Sequence, residues 1–250
     1  MRLHPIGSIF ERLRRVTNPA ESHTQGLVDQ PTWVNDTVAR VSPFTMTSPE
    51  RVAALCQAVA HICEHRIVGD IVECGVWRGG SIMAACLALL HHGDDDRDVY
   101  LFDTFEGMTA PTAFDVHASS GVRASMLLRF RDKTAPVWAV SPLEEVRWNL
   151  GTVGYPSSRV HFVKGKVEDT IPRSAPEKIA ILRLDTDWYE STAHELRHLF
   201  PRLVSGGFLI VDDYGHWDGA RRAVDEFVTS SGLPLFLNRV DYTGRLAIKP

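Results

Sequence analysis

Two short groups of acidic residues have the spacing to hold a metal ion. Ile181-Leu-Arg-Leu-Asp185-Thr-Asp187 and Phe208-Leu-Ile-Val-Asp212-Asp213 each close an apolar run with aspartates. If the runs are neighbouring strands, they lie about 4.8 Å apart and their terminal carboxylates converge. Charges crowded in this way raise one another's pKa unless a cation sits among them. Three carboxylates completed by water oxygens suit Mg2+, a hard ion that prefers oxygen. The competing reading has one or two of the aspartates capping the helices that follow.

A second chemical signal is the run Ile71-Val-Glu73-Cys-Gly75-Val-Trp-Arg-Gly79-Gly80-Ser81, an apolar segment turning through glycines into a helix. It matches neither the dinucleotide pattern G-x-G-x-x-G nor the phosphate loop G-x-x-x-x-G-K-[ST]. An acid two places before the first glycine suits a ligand with a positive charge, such as the amino group of S-adenosylmethionine. Asp103 ends the next apolar run, Val99-Tyr-Leu-Phe102. A carboxylate there can accept both ribose hydroxyls, as the second-strand acid of nucleotide sites does, or can cap a helix. The row His194-Glu-Leu-Arg-His198 has the letters of a zinc-protease helix. No third ligand is evident, however, and Leu199 and Phe200 continue a packing face, so an ordinary helix is expected.

These residues need a scaffold that brings strand ends together. Short apolar runs at 70–74, 99–102, 160–163, 179–184 and 208–211 alternate with helical patterns at 47–62, 81–90, 189–200 and 219–229. That rhythm predicts an α/β fold with a mostly parallel sheet covered by helices on both faces. Such sheets bind ligands beyond the carboxyl ends of their strands. Thr47-Ser-Pro-Glu50 reads as a capping box, and the runs 233–240 and 245–248 around Asp241-Tyr-Thr-Gly244 read as an antiparallel hairpin. Residues 1–45 read as a helical lead-in, serving as lid or oligomer contact, before one domain over 46–250. Residues 105–142 interrupt the rhythm and are expected to form a lid or binding insertion, with His117 available to face an acceptor.

Bulk properties fit this picture. A hydrophobic share of 44% with 23% charged residues is that of a soluble globular chain, and a net charge of −4 gives no reason to expect nucleic acid as partner. Cys56, Cys63, Cys74 and Cys86 form no C-x-x-C pair and lie in apolar runs, as buried thiols of a reducing compartment do. With neither a signal-peptide pattern nor an 18-residue apolar run, a cytoplasmic location is expected. Leu3, Ile6, Phe10, Leu13 and Val16, interleaved with Arg12, Arg14 and Arg15, form a basic amphipathic pattern. It is expected to pack on its own domain or a twin subunit, as in a homodimer, rather than on a membrane.

Together, Gly69 to Gly80, Phe102-Asp-Thr-Phe-Glu-Gly107, Leu182 to Tyr189 and Pro201 to Tyr214 resemble the macrocin O-methyltransferase family, over about residues 26–232. The resemblance implies a Rossmann-like class I methyltransferase that uses S-adenosylmethionine and Mg2+ to methylate a sugar hydroxyl. The acceptor would be a natural-product deoxysugar, or an oligosaccharide such as a mannoside. It places Thr45, Met46, Glu73, Gly75, Trp77, Arg78, Ser81, Asp103, Gly165 and Val167 at the cofactor. Asp185, Asp212 and Asp213 would be the metal ligands and Asp187 the general base. In an extended backbone Asp187 would share a side with Asp185; His117 is the second candidate base. The insertion departs from the family around residues 110–140, which leaves the acceptor open. The alternatives are a catechol-type methyltransferase, a nicotinamide-dependent oxidoreductase and a non-catalytic binding protein.

Overall fold

The computed structural model describes residues 27–250; the basic amphipathic pattern at 3–16 lies outside them. Seven strands form one sheet in the order β3-β2-β1-β4-β5-β7-β6. They are β1 (Asp70–Cys74), β2 (Val99–Asp103), β3 (Val160–Lys164), β4 (Ile179–Leu184), β5 (Leu203–Val211), β6 (Asn238–Arg239) and β7 (Arg245–Ile248). The first five run parallel, while β7 pairs antiparallel with both β5 and β6. The expected C-terminal hairpin is present but short. Its first arm contributes only Asn238 and Arg239, and Pro234, which cannot donate to a ladder, stands at the start of the rest.

Strand alternation divides the sheet into two cores. Ile71, Leu101, Ile181, Phe208 and Ile210 face helices α1 (Thr32–Val41), α2 (Pro49–Glu64) and α3 (Gly80–His91). Val72, Phe102, Leu182, Leu184, Leu209 and Val211 face the opposite core. The helices on that second side are α6 (Val167–Thr170), α7 (Tyr189–Leu199) and α8 (Asp218–Ser231). α1 falls within the stretch expected to be a lead-in, yet Val34 and Val41 are wholly buried in the first core. No helix among the described residues is long and apolar enough to cross a membrane, and all four cysteines are free thiols.

α2 begins one residue later than the capping-box reading places it. Ser48, not Thr47, caps the helix by accepting from the Arg51 amide at 3.3 Å. Thr47 is drawn away because its hydroxyl accepts from Arg183 at 2.9 Å.

The insertion holds α4 (Ala124–Phe130) and is followed by α5 (Leu143–Gly151). It is docked on the body through a small core of its own, in which Ala124 and Leu128 pack with Trp188, Trp217 and Ala220. An isolated bridge pairs His117 with Trp217.

At the end of β1 the chain turns at Gly75, whose φ of 82° suits glycine. A Cβ there would overlap the Asp185 carbonyl oxygen. Gly75→Ala is therefore expected to cost about 3 kcal/mol of stability from strain and displaced backbone. Urea denaturation measures this, and an unchanged midpoint would contradict the close packing of β1 on β4.

Candidate active site

Strand register determines which acids meet. Cys74 is level with Leu184, and Leu184 with Val211, so Asp185 and Asp212 emerge side by side at the carboxyl edge. By the period of two, Glu73, Arg183, Asp185 and Asp212 all belong to the α2-facing side of the sheet. Arg183 sits among them, 3% exposed, directly across from Glu73. Its Nη1 donates to Glu73 Oε1 at 2.5 Å and to Asp185 Oδ2 at 2.7 Å, and its Nη2 donates to Asp212 Oδ1 at 2.6 Å. Arg51, from α2, pairs with the other Asp212 oxygen and reaches Asp241 Oδ2 at 2.9 Å. Burial opposes the Arg183 charge, but Asp185, Asp212 and Glu73 hold it firmly protonated.

Asp212 is consequently held by two arginines and does not join the group of carboxylates that converge. That group is Asp185, Asp187 and Asp213, whose potential ligand oxygens lie within 4.8 Å of one another. Asp213 lies in the bend beyond the end of β5 at Val211 and, unlike Asp212, forms no ion pair with either arginine. Asp187 enters by a different route from the one expected. Its backbone is not extended but left-handed, with φ of 66°, in a tight turn where the Trp188 amide donates to the Thr186 carbonyl at 2.7 Å. Aspartate tolerates that conformation better than most residues. Nor does Asp187 cap α7, because the Tyr189 amide is taken by Asp115 of the insertion at 2.7 Å.

One cleft of about 560 Å3 runs along the carboxyl edge of the sheet, a size typical of small-molecule sites. Of the residues expected at a cofactor, Met46, Gly75, Trp77, Asp103, Gly165 and Val167 line it. Asp103 Oδ2 accepts from the Val76 and Trp77 amides at 2.7 and 3.2 Å, and Oδ1 from the Phe105 amide at 2.7 Å. It braces the glycine turn and caps no helix. Thr45, Glu73, Arg78 and Ser81 do not line the cleft. Arg78 is engaged by Glu145 at 2.7 Å and by the Pro43 carbonyl at 2.8 Å. Ser81 lies 3.4 Å from the Thr47 hydroxyl, and Thr45 Oγ1 accepts from the Thr47 amide at 3.0 Å. Glu73 Oε2 is buried without a partner.

His117 reaches the cleft, its ring packed edge-on against His216 at 4.7 Å. His216 and Tyr242 also line the cleft and were not signalled by any sequence motif. Burial lowers the His216 pKa, with His117 and Arg51 adding to the effect. Arg183 was missed as well; its one signal was an arginine inside an otherwise apolar run. The helix with the zinc-protease letters contributes no residue to the cluster of converging carboxylates found among the described residues. His194 Nε2 donates to the Ile171 carbonyl oxygen at 3.1 Å, and Glu195 is wholly buried, its Oε1 accepting from Thr186 Oγ1 at 3.0 Å.

The sheet order and the cleft beyond its carboxyl edge define a class I methyltransferase fold. The sequence profile of the macrocin O-methyltransferase family matches residues 15–247, and the chain belongs to that family. It is an O-methyltransferase. It is 38% identical over 200 residues, 80% of this chain and 73% of the relative, to 8-demethyl-8-(2,3-dimethoxy-alpha-L-rhamnosyl)-tetracenomycin-C 4'-O-methyltransferase of Streptomyces olivaceus. It is 31% identical over 230 residues, 89% of this chain and 87% of the relative, to mycinamicin III 3''-O-methyltransferase of Micromonospora griseorubida. Among solved structures, that of the O-methyltransferase NovP superposes with a TM-score of 0.71 at 32% identity over 82% of each chain.

Crowded carboxylates make the ligand-free protein sensitive to pH. Burial pushes Glu73 up to about 7 against the pull of Arg183. Burial likewise pushes Asp187 up to about 7, aided by Asp185 and Asp212 and opposed by its hydrogen bond with Asp213. For acids raised on folding, the stabilising contribution is complete below the unfolded values of 4.5 and 3.8 and is lost as pH rises through about 7. The melting temperature of the ligand-free chain should fall between pH 5 and pH 8, as scanning calorimetry can show. A rise over that window would contradict the crowding.

Proposed function

We propose that the protein transfers the methyl group of S-adenosylmethionine to a hydroxyl of a sugar unit in a glycoside or oligosaccharide, assisted by Mg2+. The observation that carries this reading is the convergence of Asp185, Asp187 and Asp213 in the same cleft as Asp103 and the Gly75 turn. The rhamnosyl-bearing acceptor in the name of the Streptomyces olivaceus relative supports a sugar hydroxyl.

The donor set fits a divalent cation. All three side chains offer carboxylate oxygen, and Asp213 Oδ2 is buried with no hydrogen-bond partner. Burial, with Asp187 and Asp212 beside it, pushes the Asp213 pKa well up, as expected for an acid that lacks its counter-charge. A bound Mg2+ would act as a Lewis acid that makes the acceptor hydroxyl easier to deprotonate. Asp185, Asp187 and Asp213 would hold it, while Asp212 anchors Arg51 and Arg183.

Cosubstrate recognition is assigned to the other end of the cleft. With three backbone amides already bound, Asp103 keeps one lone pair, on Oδ1, for a ribose hydroxyl, and Gly75, Gly165 and Val167 let the ligand lie against backbone. The acceptor wall would be Met108, Leu127 and Val137 of the insertion together with Trp217 and Tyr242, apolar and aromatic surfaces with His117 and His216 at hand. In the reaction the acceptor oxygen forms a bond to the methyl carbon as the carbon–sulfur bond breaks. The bond pair leaves with S-adenosylhomocysteine, and the hydroxyl proton passes to the Asp187 carboxylate. Alignment of oxygen, carbon and sulfur contributes alongside acidity.

Methyl transfer to a panel of glycosides and catechols, with Mg2+ or with chelator, tests the proposal. Glycosides should be methylated, and chelator should abolish turnover. Asp213→Asn should raise the Mg2+ requirement. Asp187→Asn should also raise the Mg2+ requirement and, at saturating Mg2+ and with S-adenosylhomocysteine affinity kept, lower turnover by about 10²–10⁴, whereas His117→Ala should cost far less. Full activity in chelator, or methylation of catechols alone, would overturn the reading.

A further inference from the structure

Asp115 belongs to the insertion, is fully buried, and has no cationic partner among the described residues. An unpaired buried carboxylate is costly, so its hydrogen bonds show what holds it there. Oδ2 accepts from the Thr112 amide at 2.6 Å and the Thr112 hydroxyl at 2.9 Å. Oδ1 accepts from the Tyr189 amide, the first of α7. That amide needs a cap, and Trp188 at the N-cap position supplies none. The niche is completed by Gly219 at the start of α8, where a Cβ would overlap Asp115 Oδ1.

The turn thus capped is the one that carries Asp187, two residues before Tyr189. The insertion holds the same turn a second time, since Trp188 Nε1 donates to the Thr109 carbonyl at 3.1 Å. It also holds the other cluster-bearing loop: the Ala118 amide donates to the His216 carbonyl and the Asp218 amide to the Val116 carbonyl, both at 2.9 Å. One segment therefore bridges the loop of Asp185 and Asp187 to the loop of Asp213.

We propose that Asp115 is a positioning residue that fixes Asp187 relative to Asp213, so that docking of the insertion and occupancy of the carboxylate cluster by a divalent cation are coupled. The proposal rests on the metal reading above. Coupling is reciprocal: whatever factor the docked insertion adds to cation affinity, the cation adds to docking. The acceptor wall and the catalytic acids are then set by one event.

Three variants test this. Asp115→Ala removes the cap, and Asp115→Asn keeps an acceptor for the Tyr189 amide. Gly219→Ala displaces the carboxylate while placing a good helix former at the start of α8. Each is titrated calorimetrically with S-adenosylhomocysteine and then with Mg2+, and amide hydrogen exchange is followed over residues 108–124 and 187–190. Asp115→Ala and Gly219→Ala should weaken Mg2+ about tenfold or more and leave S-adenosylhomocysteine within about twofold, with Asp115→Asn close to wild type. Mg2+ should slow exchange in both segments of wild type and not of Asp115→Ala. Should Asp115→Ala lose the S-adenosylhomocysteine affinity that marks an intact sheet, Gly219→Ala carries the comparison. Wild-type Mg2+ affinity in both disrupting variants overturns the coupling alone. A wild-type chain that takes up no Mg2+ overturns the metal reading and the coupling with it.

Discussion

A single guanidinium, buried in the middle of the sheet, sets the geometry of everything at its carboxyl edge. Arg183 holds Glu73, Asp185 and Asp212, which come from three adjacent strands. Removing water from so many charges is expensive, and a buried ion network is sustained only when its hydrogen bonds are satisfied. The planar fork of arginine meets that requirement where a point charge would not. Even so, Arg51 and Arg183 pair with Glu73, Asp185, Asp212 and Asp241, and Asp187 and Asp213 add two more acids beside them, so acids outnumber counter-charges. The surplus collects at Asp185, Asp187 and Asp213, which keep open edges toward the cleft. A site of this kind calls for cations, and the proposed reaction has two: a sulfonium donor and a divalent ion.

Labour in the cleft is divided between rigid and connecting elements. The strands fix the charges, because register and alternation leave each side chain one direction. The loops after β1 and β2 bring backbone close to a ligand, with Asp103 bracing the first of them. The insertion supplies the proposed acceptor wall and, through Asp115, the cap on the Tyr189 amide that leaves the Asp187 carboxylate free of that role. Sites carried on packed elements hold their geometry better than sites carried on loops alone. Here the turn that carries Asp187, the proposed base, gains that rigidity from a segment more than seventy residues away in the chain.

Much of this was legible in the sequence, and for identifiable reasons. Apolar runs ending in Asp103, Asp185 and Asp212 gave both the strands and the edge at which ligands bind. The adjacency of β4 and β5 was the condition for their aspartates to converge, and the sheet pairs these two strands. What alternation implies for Asp212 was also present in principle: it lies two residues beyond Ile210, level with Asp185, on the face where Arg183 waits. Arg183 itself resisted because its partners lie on other strands and only pairing register names them. Thr47 and Ser48 offered equivalent caps until Arg183 claimed one of them. Asp115 resisted most completely, since a helix cap supplied from a distant insertion leaves no local pattern. The same holds for His216, which acquires meaning only when His117 is docked against it.

We propose that the Arg183 network organises the whole site, because it holds Asp185 at the carboxylate cluster and Thr47 beside Met46 of the cleft. Replacing Arg183 with lysine keeps the charge and loses the fork. Calorimetric titration of that variant with S-adenosylhomocysteine and with Mg2+ reads both ends of the cleft in one protein. Both affinities should fall together, by about tenfold or more, the scale of losing one or two charge-assisted hydrogen bonds, while the chain remains folded. If lysine preserves both affinities at wild-type strength, the network does not organise the site, and the convergence of its acids must have another cause.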